Sequence, residues 1–251
     1  MASLKLGETK GPFVVALFFT LYPTLLVTIF APFFTVRSLT VQNLIVQNVE
    51  FYGVLLVFLI AFVALKENRR GLRDLFSSMG IKPNGTRKSV LWTFAFFPLF
   101  AVIGLASMLL SSLLASTPAS GSGPSQIPPW YFGYMITQAF FPVAVVEETV
   151  GRGYMLDRLI PEHPSNIAKA APAILVSALL FTVYHIPTYL AGYHFSIPQT
   201  AIALILSVFP NTIVISIAYV RSKTRNIIGP ILIHFLLDAL PIILAISFAH
   251  T

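Results

Sequence analysis

Seven apolar runs follow one another along the 251-residue chain, at about 12–36, 46–65, 89–115, 130–156, 168–190, 198–220 and 227–249. Each is close to or above the roughly 20 residues an α-helix needs to cross a bilayer. Within lipid no water satisfies backbone N–H and C=O groups, so only helices and closed barrels span it. The runs do not alternate apolar and polar residues with period two, so helices are expected and strands are not. The chain therefore reads as all-α: a polytopic integral membrane bundle of about seven, or eight, transmembrane helices, forming a single membrane domain over 1–251.

Charge is scarce along nearly the whole length. Only 10% of residues are charged, against about 25% in a soluble globular protein. No stretch is long and polar enough for a separate soluble domain. The net charge of +7 does not point to nucleic acid, because the basic residues sit in short loops between apolar runs and no aromatic-interleaved basic stripe occurs. With no cysteine in the chain, disulfides, thiolate metal sites and a cysteine nucleophile are excluded.

The loops set an expected orientation. Loop 66–88 carries Lys66, Arg69, Arg70, Arg73, Lys82, Arg87 and Lys88, and loop 221–226 carries Arg221, Lys223 and Arg225. Loops 116–129 and 191–197 carry no Lys or Arg. By the positive-inside rule the first two, loop 157–167 and the N-terminus are expected in the cytoplasm, with Arg37 as the exception. The run from Phe13 to Val36 is too long for a signal-peptide core and is expected to be an uncleaved first span. Leu72, Leu75, Phe76 and Met79 recur at helical spacing, which predicts a short amphipathic helix on the cytoplasmic surface. Trp130 and Tyr131 read as interfacial anchors after a flexible Pro/Gly/Ser connector. Pro187, Pro210, Pro230 and Pro241 are expected to kink spans.

Ionisable groups at bilayer depth are costly and mark function by default. Six stand out: Glu147, Glu148, Arg152, His185, His234 and Asp238. Glu148 and Arg152 are i and i+4 with the acid first, the favourable order for an ion pair. Glu147 projects about 100° away from Glu148 and is left as a free carboxylate facing a cavity. Phe181 and His185 share one helix face, and so do His234 and Asp238. His163, His194 and His250 fall in loops or at the chain end and are expected to be interfacial or solvated. A desolvated Glu and a His on separate helices can position and deprotonate a water, and a second His with a hydrogen-bonding neighbour can stabilise an oxyanion. That is a hydrolase without a covalent nucleophile. No G-x-S-x-G and no H-E-x-x-H occurs. No cofactor signature is present, although two His and one Glu are a donor set that zinc accepts.

The three spacings stand here as Glu147/Glu148/Arg152, Phe181/His185 and His234/Asp238. In that order they resemble the motifs Glu-Glu-x-x-x-Arg, Phe-x-x-x-His and His-x-x-x-Asn/Asp of the CAAX prenyl protease and bacteriocin-processing membrane protease family, including the Ras-converting endoprotease type. The resemblance covers roughly 130–245 as a protease core. It implies an intramembrane glutamate-dependent endopeptidase, in which Glu147 and His185 activate water, His234 and Asp238 form the oxyanion side, and Glu148, Arg152 and Phe181 support the site. The implied partner is a prenylated or other membrane-bound peptide, cut at its C-terminal tail from a cavity open to the cytoplasm. Gly151 stands where many members have a bulky residue, and Asp238 where the prenyl branch typically has Asn. Two other readings fit the same residues: a non-catalytic membrane scaffold of this fold, and a proton-coupled transporter using the acids as relays.

Helical rise raises one difficulty. If span five starts at about 168, His185 lies deeper than Glu147 at about 1.5 Å per residue. For the two to meet, span five must start later or span four must shift outward. Span five is expected to continue past Pro187 toward Leu190.

Overall fold

The structure is a computed structural model that describes residues 6–30, 49–68, 71–114, 129–160, 166–192 and 196–249. Lys5, Arg37, Arg69, Arg70, the connector up to residue 128, His163, His194 and His250 lie outside the described residues.

All regular structure among the described residues is helical, and each of the seven apolar runs is helical where described. The first holds α1 (Leu6–Phe30) and the second α2 (Val54–Lys66), entered through a π-helical turn at Val49–Gly53. The short α3 (Leu72–Ser78) leads to α4 (Thr86–Ala95) and α5 (Phe97–Leu114). Run four comprises α6 (Pro129–Gln138), a π-helical turn at Ala139–Ala144, α7 (Val145–Glu148), a π-helical stretch at Thr149–Leu156 and α8 (Asp157–Leu159). Run five is α9 (Ile167–Tyr184) with its extension; run six is α10 (Ile197–Ala203) continuing into α11 (Phe209–Ser222); run seven is α12 (Ile228–Ala249).

Among the described residues two helices are long and apolar enough to cross a bilayer: Ile167–Leu190, of 24 residues, and Ile197–Ser222, of 26. A third qualifies if Thr86–Ala95 and Phe97–Ala106, bent by 44°, count as one span. These are the helices of an integral membrane protein.

Local chemistry fixes the boundaries. Asn166 caps α9 by accepting from Lys169 N at 3.1 Å. Ser196 and Gln199 form a reciprocal capping box at the start of α10, with Pro198 in the first turn, where its missing N–H costs nothing. Asn226 starts α12: its Oδ1 accepts from Ile228 N at 2.9 Å, while its Nδ2 donates to the carbonyls of Lys82 and Asn84. That ties the loop before α4 to the loop before α12.

The prolines act differently from expectation. The bends fall at Phe96, two residues before Pro98, and at Phe141, whose φ of −132° and ψ of 117° are extended. A residue before proline is pushed out of the α region, which explains the break at Phe141-Pro142. Pro187 leaves the helix continuous to Leu190, as expected of span five. Pro210 lies next to a π-helical turn, Leu204–Val208, and Pro230 occupies the first turn of α12. The amphipathic reading of 72–79 also changes. Leu75 and Met79 are buried in a cluster with Leu55, Leu59, Val63 and Tyr154, so this helix packs on the protein; Leu72 alone of that stripe is 71% exposed.

The Val145–Leu156 segment runs between two packed clusters. On one side Val15 and Phe19 of α1 and Leu55, Leu59 and Val63 of α2 meet Val146, Val150 and Tyr154. On the other, Leu156 meets Ala170 and Ile174 of α9, Tyr219 of α11 and Ile231 of α12. α12 lies against α4 and Ala139–Ala144, close enough that a Cβ at Gly229 would overlap Ser89 O and Thr93 Oγ1. Small residues let helices approach this closely where lipid removes the hydrophobic drive to associate.

Span four removes part of the depth difficulty. α9 starts at Ile167, no later than expected, whereas run four stays helical to Leu159 rather than ending at 156. The added residues lengthen the helical stretch beyond Glu147 by about 4–5 Å.

Candidate active site

Glu147 and Glu148 end α7, the first regular turn after the break at Phe141. As successive helical residues they diverge, and each finds different partners. Glu148 is fully buried. Its Oε1 accepts from Arg152 Nη1 at 2.7 Å and pairs with His234 Nδ1 at 2.7 Å. One carboxylate oxygen therefore bridges the guanidinium of its own helix and an imidazole from α12.

Arg152 is 1% exposed. Its Nη2 donates to Thr212 O at 3.3 Å, and its Cζ lies 4.6 Å from the centroid of the Phe181 ring. A cation over an aromatic face gains about 2 kcal/mol when desolvated. Gly151 leaves room for this stack, since a Cβ there would come within 3.1 Å of Phe181 Cδ2. Phe181 also neighbours both imidazoles, with ring centroids 4.8 Å from His185 and 6.4 Å from His234.

Glu147 is 3% exposed. Its Oε2 lies 3.5 Å from His185 Nε2 and 3.8 Å from His234 Nε2, and has no hydrogen-bond partner among the described residues. Its Oε1 accepts from the Tyr184 hydroxyl at 3.4 Å. The histidine tautomers follow from their other contacts. His185 Nδ1 is 2.8 Å from Phe181 O. A carbonyl only accepts, so Nδ1 carries the proton and Nε2 faces Glu147. His234 Nδ1 likewise donates to Glu148, a carboxylate already paired with arginine, and turns Nε2 toward Glu147 and Asp238. Asp238 Oδ2 lies 3.4 Å from His234 Nε2, with the side chain 40% exposed.

The structure thus brings together Glu147, Glu148, Arg152, Phe181, His185, His234 and Asp238 from run four, α9 and α12. Two pairings differ from the spacing argument. Glu148 is shared between Arg152 and His234, and the shorter contact of His234 is to Glu148, not to Asp238 one turn away. Glu147 is not isolated either, because Tyr184 reaches it. Tyr184 carries no signal in sequence beyond a phenol, which needs a partner, inside an apolar helix. Thr212 contributes only its carbonyl, which no side-chain pattern reveals.

Glu147 Oε2 and His185 Nε2 are atoms of one kind. A neutral His185 presents a lone pair at Nε2, and a carboxylate presents another. Two acceptors 3.5 Å apart repel, and a molecule donating one hydrogen to each relieves them. Among the described residues no group of three or more His, Asp or Glu side chains has the arrangement of a metal site.

Residues 128–240 match the sequence profile described as Type II CAAX prenyl endopeptidase Rce1-like. Neither a curated protein nor a solved structure matches the chain. The matched segment contains all three motifs, and their side chains meet across three helical runs. Over that segment the chain is similar to the CAAX protease family.

Proposed function

We propose that this protein is an intramembrane endopeptidase that cleaves a membrane-associated peptide with a water activated by Glu147 and His185. The reading rests on Glu147 Oε2, a buried carboxylate oxygen without a hydrogen-bond partner among the described residues, facing two imidazole Nε2 atoms. A water between Glu147 and His185 donates one hydrogen to each. Glu147 takes the proton as the water oxygen attacks the scissile carbonyl carbon, and the C=O electron pair moves onto oxygen. His234 and Asp238 stabilise that oxyanion through the proton they hold between them. The intermediate collapses, the C–N bond breaks, and the proton on Glu147 passes to the leaving amine. Glu148 serves by fixing His234, since hydrogen bonding at one ring nitrogen sets the role of the other.

The substrate we assign is a prenylated CAAX-type C-terminus, which loses its last three residues. A lipidated tail is confined to the bilayer surface, where a membrane-embedded site can meet it. The cavity is assigned to the cytoplasmic side. In support, the basic loops gather at one end: Arg158 pairs with Glu67 at 2.7 Å, Arg225 with Asp157 at 3.4 Å, and Asn226 reaches Lys82 O.

Cleavage of a farnesylated CAAX reporter peptide by the purified protein in detergent tests this, with Glu147→Ala as control and with and without a chelator. Cleavage lost in the variant and insensitive to chelator is the expected result. Cleavage that survives Glu147→Ala overturns the assignment, and chelator-sensitive cleavage overturns the metal-free step. If only an unprenylated membrane peptide is cut, the chemistry stands and the substrate assignment does not.

A further inference from the structure

The water-activating step leaves one buried hydroxyl of the site unused. Tyr184 precedes His185 on α9, so the two side chains diverge by about 100°, yet both reach Glu147. They address different oxygens. The Tyr184 hydroxyl donates to Oε1 at 3.4 Å, while the imidazoles face Oε2. A glutamate's terminal torsion has a broad, roughly two-fold profile. Without a tether the carboxylate rotates and both oxygens drift from the imidazoles. A donor at Oε1 removes that freedom and leaves Oε2 turned toward His185.

The phenol is itself held from outside the matched segment. Its ring lies 4.7 Å from that of Phe19 on α1 and packs in one buried cluster with Val15 and Ala16. Residues 128–240 do not include that helix. The 3.4 Å separation is long for O–H···O, usually about 2.5–3.0 Å, and such contacts commonly tighten once substrate binds.

We infer that Tyr184 is a positioning residue for Glu147, tethering Oε1 so that Oε2 faces the reacting water, with α1 as its backing; this rests on the hydrolytic role proposed for Glu147. Tyr184→Phe keeps the ring and its packing and removes the donor. In the full-length protein it lowers kcat on the farnesylated reporter by about 10- to 100-fold, with KM within about twofold. A second readout needs no turnover: labelling of residue 147 by dicyclohexylcarbodiimide, followed by peptide mass spectrometry. Tyr184→Phe releases Oε1 to the reagent and raises the labelling rate several-fold.

A lower kcat with unchanged KM and faster labelling at Glu147 is the expected result. Unchanged kcat, or labelling equal to wild type, overturns the inference. Should the wild type fail to cut the reporter, the prenylated-substrate assignment falls, and the labelling arm still decides whether Tyr184 holds Glu147.

Discussion

His234 Nδ1 lies 2.7 Å from Glu148 Oε1, closer than its approach to Asp238, one turn along its own helix, at 3.4 Å. The oxygen that receives it also receives Arg152. A single buried carboxylate thus neutralises a guanidinium and sets an imidazole tautomer. Burying an ion pair is a poor source of net stability, but breaking one strands the remaining charge. The stabilising and catalytic roles of Glu148 are therefore separable by substitution.

Glu148→Ala leaves Arg152 buried with only Thr212 O as acceptor among the contacts described. The expected loss is about 3–5 kcal/mol, read as a lower thermal midpoint in detergent. Glu148→Gln keeps an oxygen for both donors and should retain much of the fold. Its cleavage rate falls because His234 loses its charged anchor. Equal melting of Glu148→Ala and wild type would show that the bridge does not hold the helices.

Glu147→Gln makes the opposite demand. Glu147 Oε2 is buried without a hydrogen-bond partner among the described residues, so removing the negative charge relieves a desolvation cost. The melting temperature should hold or rise. Cleavage should fall by about 10²–10⁴, the range for loss of a general base. A variant that is inactive because it is unfolded would contradict this.

The contrast between these glutamates shows what was legible in the chain. Long apolar runs gave the helices, because backbone satisfaction in lipid admits few alternatives. Charges in such runs stand out, so Glu147, His185 and His234 were visible as candidates. Cross-helix pairings were not. Spacing assigned Glu148 to Arg152 alone, since i,i+4 geometry is local, whereas the approach of His234 depends on how α12 packs against α4 and Ala139–Ala144. Tyr184 was hidden for another reason. In a chain with 22 Phe and 9 Tyr, one more aromatic residue carries no contrast. The breaks at Phe141 and Phe96 lie beside Pro142 and Pro98, in earlier runs than the prolines expected to kink spans.

Gly151 gives a packing prediction with two opposing terms. A Cβ there meets Phe181 Cδ2 at 3.1 Å, a contact the ring must yield to by a few tenths of an ångström. Alanine gains up to about 1 kcal/mol of helix propensity over glycine, so Gly151→Ala should be close to neutral. Gly151→Val pushes Phe181 off the Arg152 guanidinium and should cost about 1–3 kcal/mol by overpacking. Thermal melts of the pair decide it. If Gly151→Val is as stable as wild type, the Phe181–Arg152 stack does not depend on the missing side chain.

Asp238 bears on how the oxyanion is held. Its Oδ2 is 3.4 Å from His234 Nε2 and its side chain reaches the open side of the site. An aspartate donates a hydrogen bond only when protonated, whereas the asparagine of the prenyl branch carries a permanent N–H donor. If the role is donation, Asp238→Asn supplies it without needing a proton, and cleavage should stay within about tenfold of wild type. Asp238→Leu removes the donor altogether and should lower kcat by about 10²–10³, the usual effect of losing one oxyanion contact. Steady-state cleavage by the two variants separates the cases. Asparagine as damaging as leucine would mean that position 238 works through its negative charge, holding the proton on His234 Nε2, and that His234 alone meets the oxyanion.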